Sequence, residues 1–265
     1  MKAPARSTAH APSVANACRH AASCALACAA LVLPCAARAQ FAGTLGIDSV
    51  NRYRGTGTPD VGPVVRASAM ADSSWGAYGG VSGLWRTRDA GLASADVLLG
   101  WSGRLDALAD LAALSPDWGW DAAVHRTHYG QGDGHDFSEA MVGLIGPDWT
   151  LRTWYSPHYF GGDMHTFYTE LNASHAFDDR WHAFGHVGWL RYGGGSYYET
   201  PIPDRTDTLA GIGATLSNWD LRLARDGIVD GNARSDIDAR RRRAAWIVGA
   251  GLWQCTTSGL IFRKC

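Results

Sequence analysis

The sequence predicts an all-β chain: an antiparallel up-and-down transmembrane β-barrel of about twelve strands. Three observations point there. Apolar and polar residues alternate with period two in a dozen short segments, glycine is abundant, and tryptophan and tyrosine sit at the segment ends. Each element is taken below in chain order.

Residues 1–39 have the layout of a secretory signal. Lys2, Arg6 and Arg19 precede an apolar run from Ala21 to Ala36, and Ala37-Arg38-Ala39 supplies the small residues that a signal peptidase reads. Cleavage is expected before Gln40. The rival, a lipid-modified Cys35, has a proline directly before it, which fits that modification poorly. Removal leaves 226 residues, enough for one sizeable domain, expected as a barrel over 40–253 and a tail at 254–265. Cys18, Cys24, Cys28 and Cys35 leave with the signal, and Cys255 and Cys265 lie in the last eleven residues. No disulfide or cysteine metal site can therefore organise the body.

No acidic residue precedes Asp48, so the exported part carries 25 acidic residues against 20 Lys plus Arg, a net charge of −5. That balance argues against a nucleic-acid partner. After Gln40 no run of 18 or more apolar residues occurs, which excludes a membrane-spanning helix. All 32 glycines and all 12 tryptophans lie in the exported part. Glycine is costly inside helices and aromatics favour strands, so both point to β structure with many turns.

The expected strands are Thr44 to Arg54, Val64 to Ala71, Trp75 to Arg86, Ala93 to Gly103, Trp118 to Tyr129, Phe137 to Ile145, Trp149 to Tyr155, Thr166 to Phe177, Trp181 to Tyr192, Thr206 to Leu216, Trp219 to Arg225 and Ala244 to Trp253. Most approach the roughly 9 to 11 residues with which a tilted strand crosses a bilayer. The alternation is clearest at Ala95 to Arg104, where Ala95, Val97, Leu99 and Trp101 oppose Asp96, Leu98, Gly100 and Ser102. Phe167, Leu171 and Phe177 likewise oppose Tyr168, Glu170 and Asn172; Trp181, Val187 and Trp189 oppose His182 and His186. Leu105 to Leu114 keeps helical leucine spacing and stays open between helix and hairpin.

A soluble sandwich alternates too, so the aromatics and charges must decide. Trp75 and Trp85, Trp118 with Tyr129, Trp149 and Tyr155, Trp181 and Trp189, and Trp246 and Trp253 bracket their segments, as a lipid-facing barrel places them at the headgroups. Asp96, Arg104, Asp121, His125, Glu139, Arg152, Glu170, His182, His186 and Arg222 fall on the opposite faces, too many charges for a dry core to pair cheaply. A wet lumen accommodates them.

Ser49-Val50-Asn51-Arg52-Tyr53-Arg54-Gly55 resembles the opening strand of the TorF-type porin family of bacterial outer-membrane proteins. Trp75 to Trp85 resembles its glycine-aromatic signature, Trp120 to Tyr129 its central strand, and Leu151 to Gly161 its Tyr-Ser-Pro turn. The resemblance covers roughly residues 41 to 225 and implies a Gram-negative outer-membrane barrel with a transport role, without catalytic residues. Two departures stand out: Asn51 where the family has an aromatic, and no terminal aromatic. Either Trp253 closes the last strand before a tail, or Phe262 serves as the displaced assembly signal.

No cofactor or metal motif is present. His182 and His186 lie about 13 Å apart along one strand, too far for one ion. Ser174-His175 and Ser156-Pro157-His158 suggest a lipid-modifying hydrolase, but adjacent strand residues point apart. Gly193-Gly194-Gly195 lacks the Lys-Ser or Lys-Thr of a phosphate loop. The expected function is passive passage of small solutes, with Asp121, Arg152, Glu170 and His182 lining the pore. The alternative is a non-conducting structural or binding barrel. Expected partners are the barrel assembly machinery, outer-membrane lipids and lipopolysaccharide, the last through Arg240, Arg241, Arg242 and Arg243.

Overall fold

The structure, a computed structural model, describes residues 40–54, 56–57, 62–107, 117–130, 135–194, 204–230 and 245–255. Twelve strands form the ring: β1 (Gln40–Asp48), β2 (Val64–Asp72), β3 (Ala77–Arg86), β4 (Leu92–Arg104), β5 (Gly119–Tyr129), β6 (Phe137–Ile145), β7 (Trp149–Ser156), β8 (His165–Ala176), β9 (Trp181–Gly193), β10 (Arg205–Leu216), β11 (Trp219–Asp230) and β12 (Trp246–Cys255). Each pairs antiparallel with its chain neighbours, and β1 closes on β12 with Ala42 opposite Cys255 and Asp48 opposite Gly249. The sheet therefore has no open edge, which is what a strand structure in lipid requires. A two-residue ladder, Arg52–Tyr53 with Thr56–Gly57, follows β1.

The outer face is apolar. Val81, Val97, Leu99, Val124, Val142, Val187 and Val248 all point away from the lumen, and Val142 keeps 64% of its surface exposed. Aromatics rim this band on both sides. Phe41, Trp75, Trp101, Trp181 and Trp219 lie at the end where β1 begins and β12 finishes, the terminal rim; Phe167, Trp189 and Trp246 lie toward the opposite, loop rim. Among the described residues no second sheet covers these rings, so the outside surface has the two aromatic girdles of a lipid-facing barrel. No helix among the described residues is long and apolar enough to cross a membrane.

The packed interior lies inside the ring and is lopsided. Toward the loop rim Phe137, Tyr159, Tyr168 and Leu190 form a buried cluster, with Tyr129, Trp154, Phe160 and Tyr192 against it. Tyr159 comes from a short 3-10 turn, Tyr159–Gly161, that enters the barrel between β7 and β8. Tyr78, Ala123 and Met141 form a second cluster on β3, β5 and β6, flanked by Met70 and Leu98.

Three strands differ most from the sequence reading. The first strand is Gln40–Asp48, not Thr44 to Arg54. Beyond Asp48 the Ser49 amide still donates to the Val248 carbonyl at 2.9 Å, after which the chain leaves the sheet and reaches Arg54 in a left-handed conformation (φ 48°). The eleventh strand runs on to Asp230, and the last is Trp246–Cys255. Trp253 lies on the inward face of β12, opposite Thr44, so it is not a girdle residue. Of the segment Leu105 to Leu114, Leu105–Ala107 forms one 3-10 turn, and the remainder lies outside the described residues.

Candidate functional site

Alternation sets the interior. Asp48, Asp72, Asp96, Asp121, Glu139, Glu170, Asp207, Asp220 and Asp226 occupy inward positions, against Arg54, Arg66, Arg152, Arg205 and Arg222. Arg86 and Arg104, at strand ends, also fall on the inward face, and each is offset by a carboxylate of the adjoining turn, Asp89 and Asp106. Among the described side chains the lumen thus has an acidic excess of four when His125, His182 and His186 are neutral, and of one when all three are charged. The excess survives every histidine state.

Arg54 is the side chain that organises this space. Its Nη1 and Nη2 donate to Glu139 Oε1 and Oε2 on β6 at 2.7 and 2.6 Å, a fork on both carboxylate oxygens. The guanidinium carbon lies 4.5 Å from the Tyr168 ring centroid, 5.8 Å from that of Tyr159 and 5.9 Å from that of Trp154. These are cation–π distances. The pair is deeply enclosed, with side-chain exposures of 6% and 1%.

The network continues both ways around the wall. His125 Nδ1 lies 3.7 Å from Glu139 Oε2, and its Nε2 3.3 Å from Asp96 Oδ1, which also accepts from Thr127 Oγ1 at 2.8 Å. On the other side the Tyr168 hydroxyl lies 3.0 Å from His186 Nε2, itself 2.8 Å from Asp207 Oδ2, while His186 Nδ1 is 2.7 Å from Asn172 Oδ1. Glycine permits these crossings. A methyl added at Gly188 on β9 would meet the Tyr168 hydroxyl and lie 2.7 Å from Asp207 Oδ1.

All four residues that the sequence assigns to the lumen point inward, but they do not form one group. Asp121 accepts from Arg152 Nε and Nη2 at 3.0 and 2.8 Å, a pair lying across Gly143. Glu170 Oε1 accepts from Trp154 Nε1 at 3.2 Å. His182 lies nearer the terminal rim, 3.6 Å from Asp220. The principal residue missed is Arg54, whose strand-like neighbours gave no sign that it folds inward. Asp207 and Tyr168 were readable from alternation alone. Arg240 to Arg243 lie outside the described residues. No group of three or more His, Cys, Asp or Glu suited to a metal occurs among the described residues.

Two adjoining cavities run beside this network. One of about 380 Å³ is lined by Arg54, Trp154, Tyr168, Glu170, Asp207 and Asp226. The other, about 1020 Å³, opens at the terminal rim among Thr150, Ser174, His182, Asp220, Arg222 and Trp253. They share Asn172, His186 and Leu209. The open volume thus follows β8 to β12, the side away from the cluster around Tyr78.

No family model matches the chain, and no curated protein matches it. Solved structures do match. The NanC porin is similar over 82% of this chain and 100% of its own, with TM-score 0.50 and 10% identity. The KdgM porin is similar over 80% and 98%, with TM-score 0.48 and 8% identity. An outer-membrane channel of Pseudomonas putida F1 is similar over 83% and 96%, with TM-score 0.45 and 8% identity. At such identity the similarity to NanC concerns the fold alone, a closed antiparallel barrel.

Proposed function

We propose that the protein is an outer-membrane porin through which small hydrophilic solutes diffuse passively, along the corridor beside β8 to β12 and past Arg54. The observation that carries this reading is the pair of adjoining cavities lined by charged and polar side chains, inside a ring whose outer face is apolar and girdled. A dry structural barrel has no need of so many inward charges. The acidic excess gives the corridor a preference for cations, because a lining of one sign attracts the opposite ion and repels its own.

The motif order resembling the TorF-type family supports placing the chain in that family. Residues 1–39 would be the export signal, Arg240 to Arg243 a contact for lipopolysaccharide phosphates, and Trp253 the aromatic that closes the barrel for the assembly machinery. The runner-up is a plugged, non-conducting barrel, favoured by one feature: the aromatic cluster and Arg54 fill the lumen on the β5 to β8 side. Planar-bilayer recording separates the two. Purified protein is expected to give discrete current steps that vanish after boiling; a folded, heat-modifiable protein that stays silent supports the plug.

A further inference from the structure

The surroundings of Arg54 are those of a guanidinium-binding site. One buried carboxylate, Glu139, takes both terminal nitrogens, and Tyr168, Tyr159 and Trp154 supply ring faces around the same group. A compact ammonium could meet the charge but not the two parallel hydrogen bonds together with flat stacking, so the geometry selects a planar fork. The bound group belongs to the protein itself, reaching in from the connection after β1. The cage is accessible, since Arg54, Trp154 and Tyr168 also line the 380 Å³ cavity.

We propose that this aromatic and carboxylate cage is a binding site for guanidinium-bearing solutes, held by Arg54 at rest and entered by a solute that displaces it. Displacement also frees the lumen at its most crowded level. That second step rests on the channel reading above, whereas binding does not. A tethered side chain competes at an effective concentration on the order of millimolar, so a free solute occupies the intact protein only at concentrations above that range.

The test uses the full-length folded barrel and methylguanidinium as probe, with methylammonium as the control cation. Calorimetric titration of Arg54→Ala is expected to show saturable binding of methylguanidinium, about tenfold or more tighter than in the unaltered protein. Methylammonium binds the variant more weakly, and adding Glu139→Gln removes the response. Should Arg54→Ala fail to fold, Arg54→Gln keeps a polar side chain there while removing the charge and the guanidinium fork. A folded variant that ignores methylguanidinium, or that binds it no better than the unaltered barrel, overturns the proposal. Bilayer recording keeps the two readings apart. Binding by a silent barrel removes the channel and leaves the cage, and conduction without binding does the reverse.

Discussion

Gly188 shows at the level of one residue how the lumen is kept open. Its neighbours Tyr168 on β8 and Asp207 on β10 lay their polar ends over its backbone, so the two side chains follow the wall instead of crossing the bore. Gly143 serves Asp121 and Arg152 in the same way. A methyl at Gly188 must push Tyr168 toward Arg54 and Asp207 away from His186, in a site where all four are already engaged. Gly188→Ala is expected to destabilise the barrel by about 1 to 3 kcal/mol, the usual penalty of overpacking a filled site. The urea midpoint of the protein folded in lipid vesicles measures it. Gly162→Ala, where an added methyl would keep ordinary contact distance, provides the control. Equal midpoints for the two variants would remove the steric role of Gly188. That role was hidden in the sequence: alternation tells that Gly188 faces inward, but which side chains lie over it depends on registers across three strands.

Elements tell a different story, because strands are written in local pattern. Alternation marked all twelve segments, and most boundaries moved by few residues, since period two and a turn residue at each end are both local signals. The exception is β1. Thr44 to Arg54 also alternates, and nothing local distinguishes Asn51 to Arg54 from strand; what ends β1 at Asp48 is the end of pairing with Val64 on β2 and Gly249 on β12. Turns carry their own chemistry. Between β8 and β9 the Asp178 carboxylate accepts from the backbone N–H groups of Trp181 and Arg180 at 2.7 and 2.8 Å. The Trp181 and then the Arg180 hydrogen bond hold its carboxyl below the usual carboxylate range. A folded-state pKa below the unfolded one stabilises above the unfolded value, and that gain is lost as pH falls through the folded one. Asp178→Ala is therefore expected to lower the urea midpoint at neutral pH, with the difference shrinking as the medium is taken below the ordinary carboxylate range. A gap that persists unchanged in acid would show that the turn is held by something other than this charge.

On the scale of the whole ring, the charges act together rather than in pairs. Alternation put Asp96, Asp121, Glu139, Arg152, Glu170 and Arg222 on the inward face but not Arg54, and the corridor they line follows from closure, which sets β12 beside β1. Closure also brings Arg222 on β11 to 3.6 Å from Asp48 on β1, a pairing that no local pattern contains. Three histidines modulate the resulting field: His125 faces Asp96 and Glu139, His182 faces Asp220, and His186 faces Asp207, Glu170 and Tyr168. Each proton taken up by these rings removes one unit of the acidic excess, which runs from four to one among the described residues. The expected reversal potential in a potassium chloride gradient corresponds to cation preference, because the acidic excess holds in every charge state of these rings. Replacing Glu170, Asp207 and Asp226 by their amides should sharply reduce the preference, because it removes three of the four excess charges and leaves the bore nearly as wide. Anion preference in the unaltered channel would contradict the charge balance of the lumen.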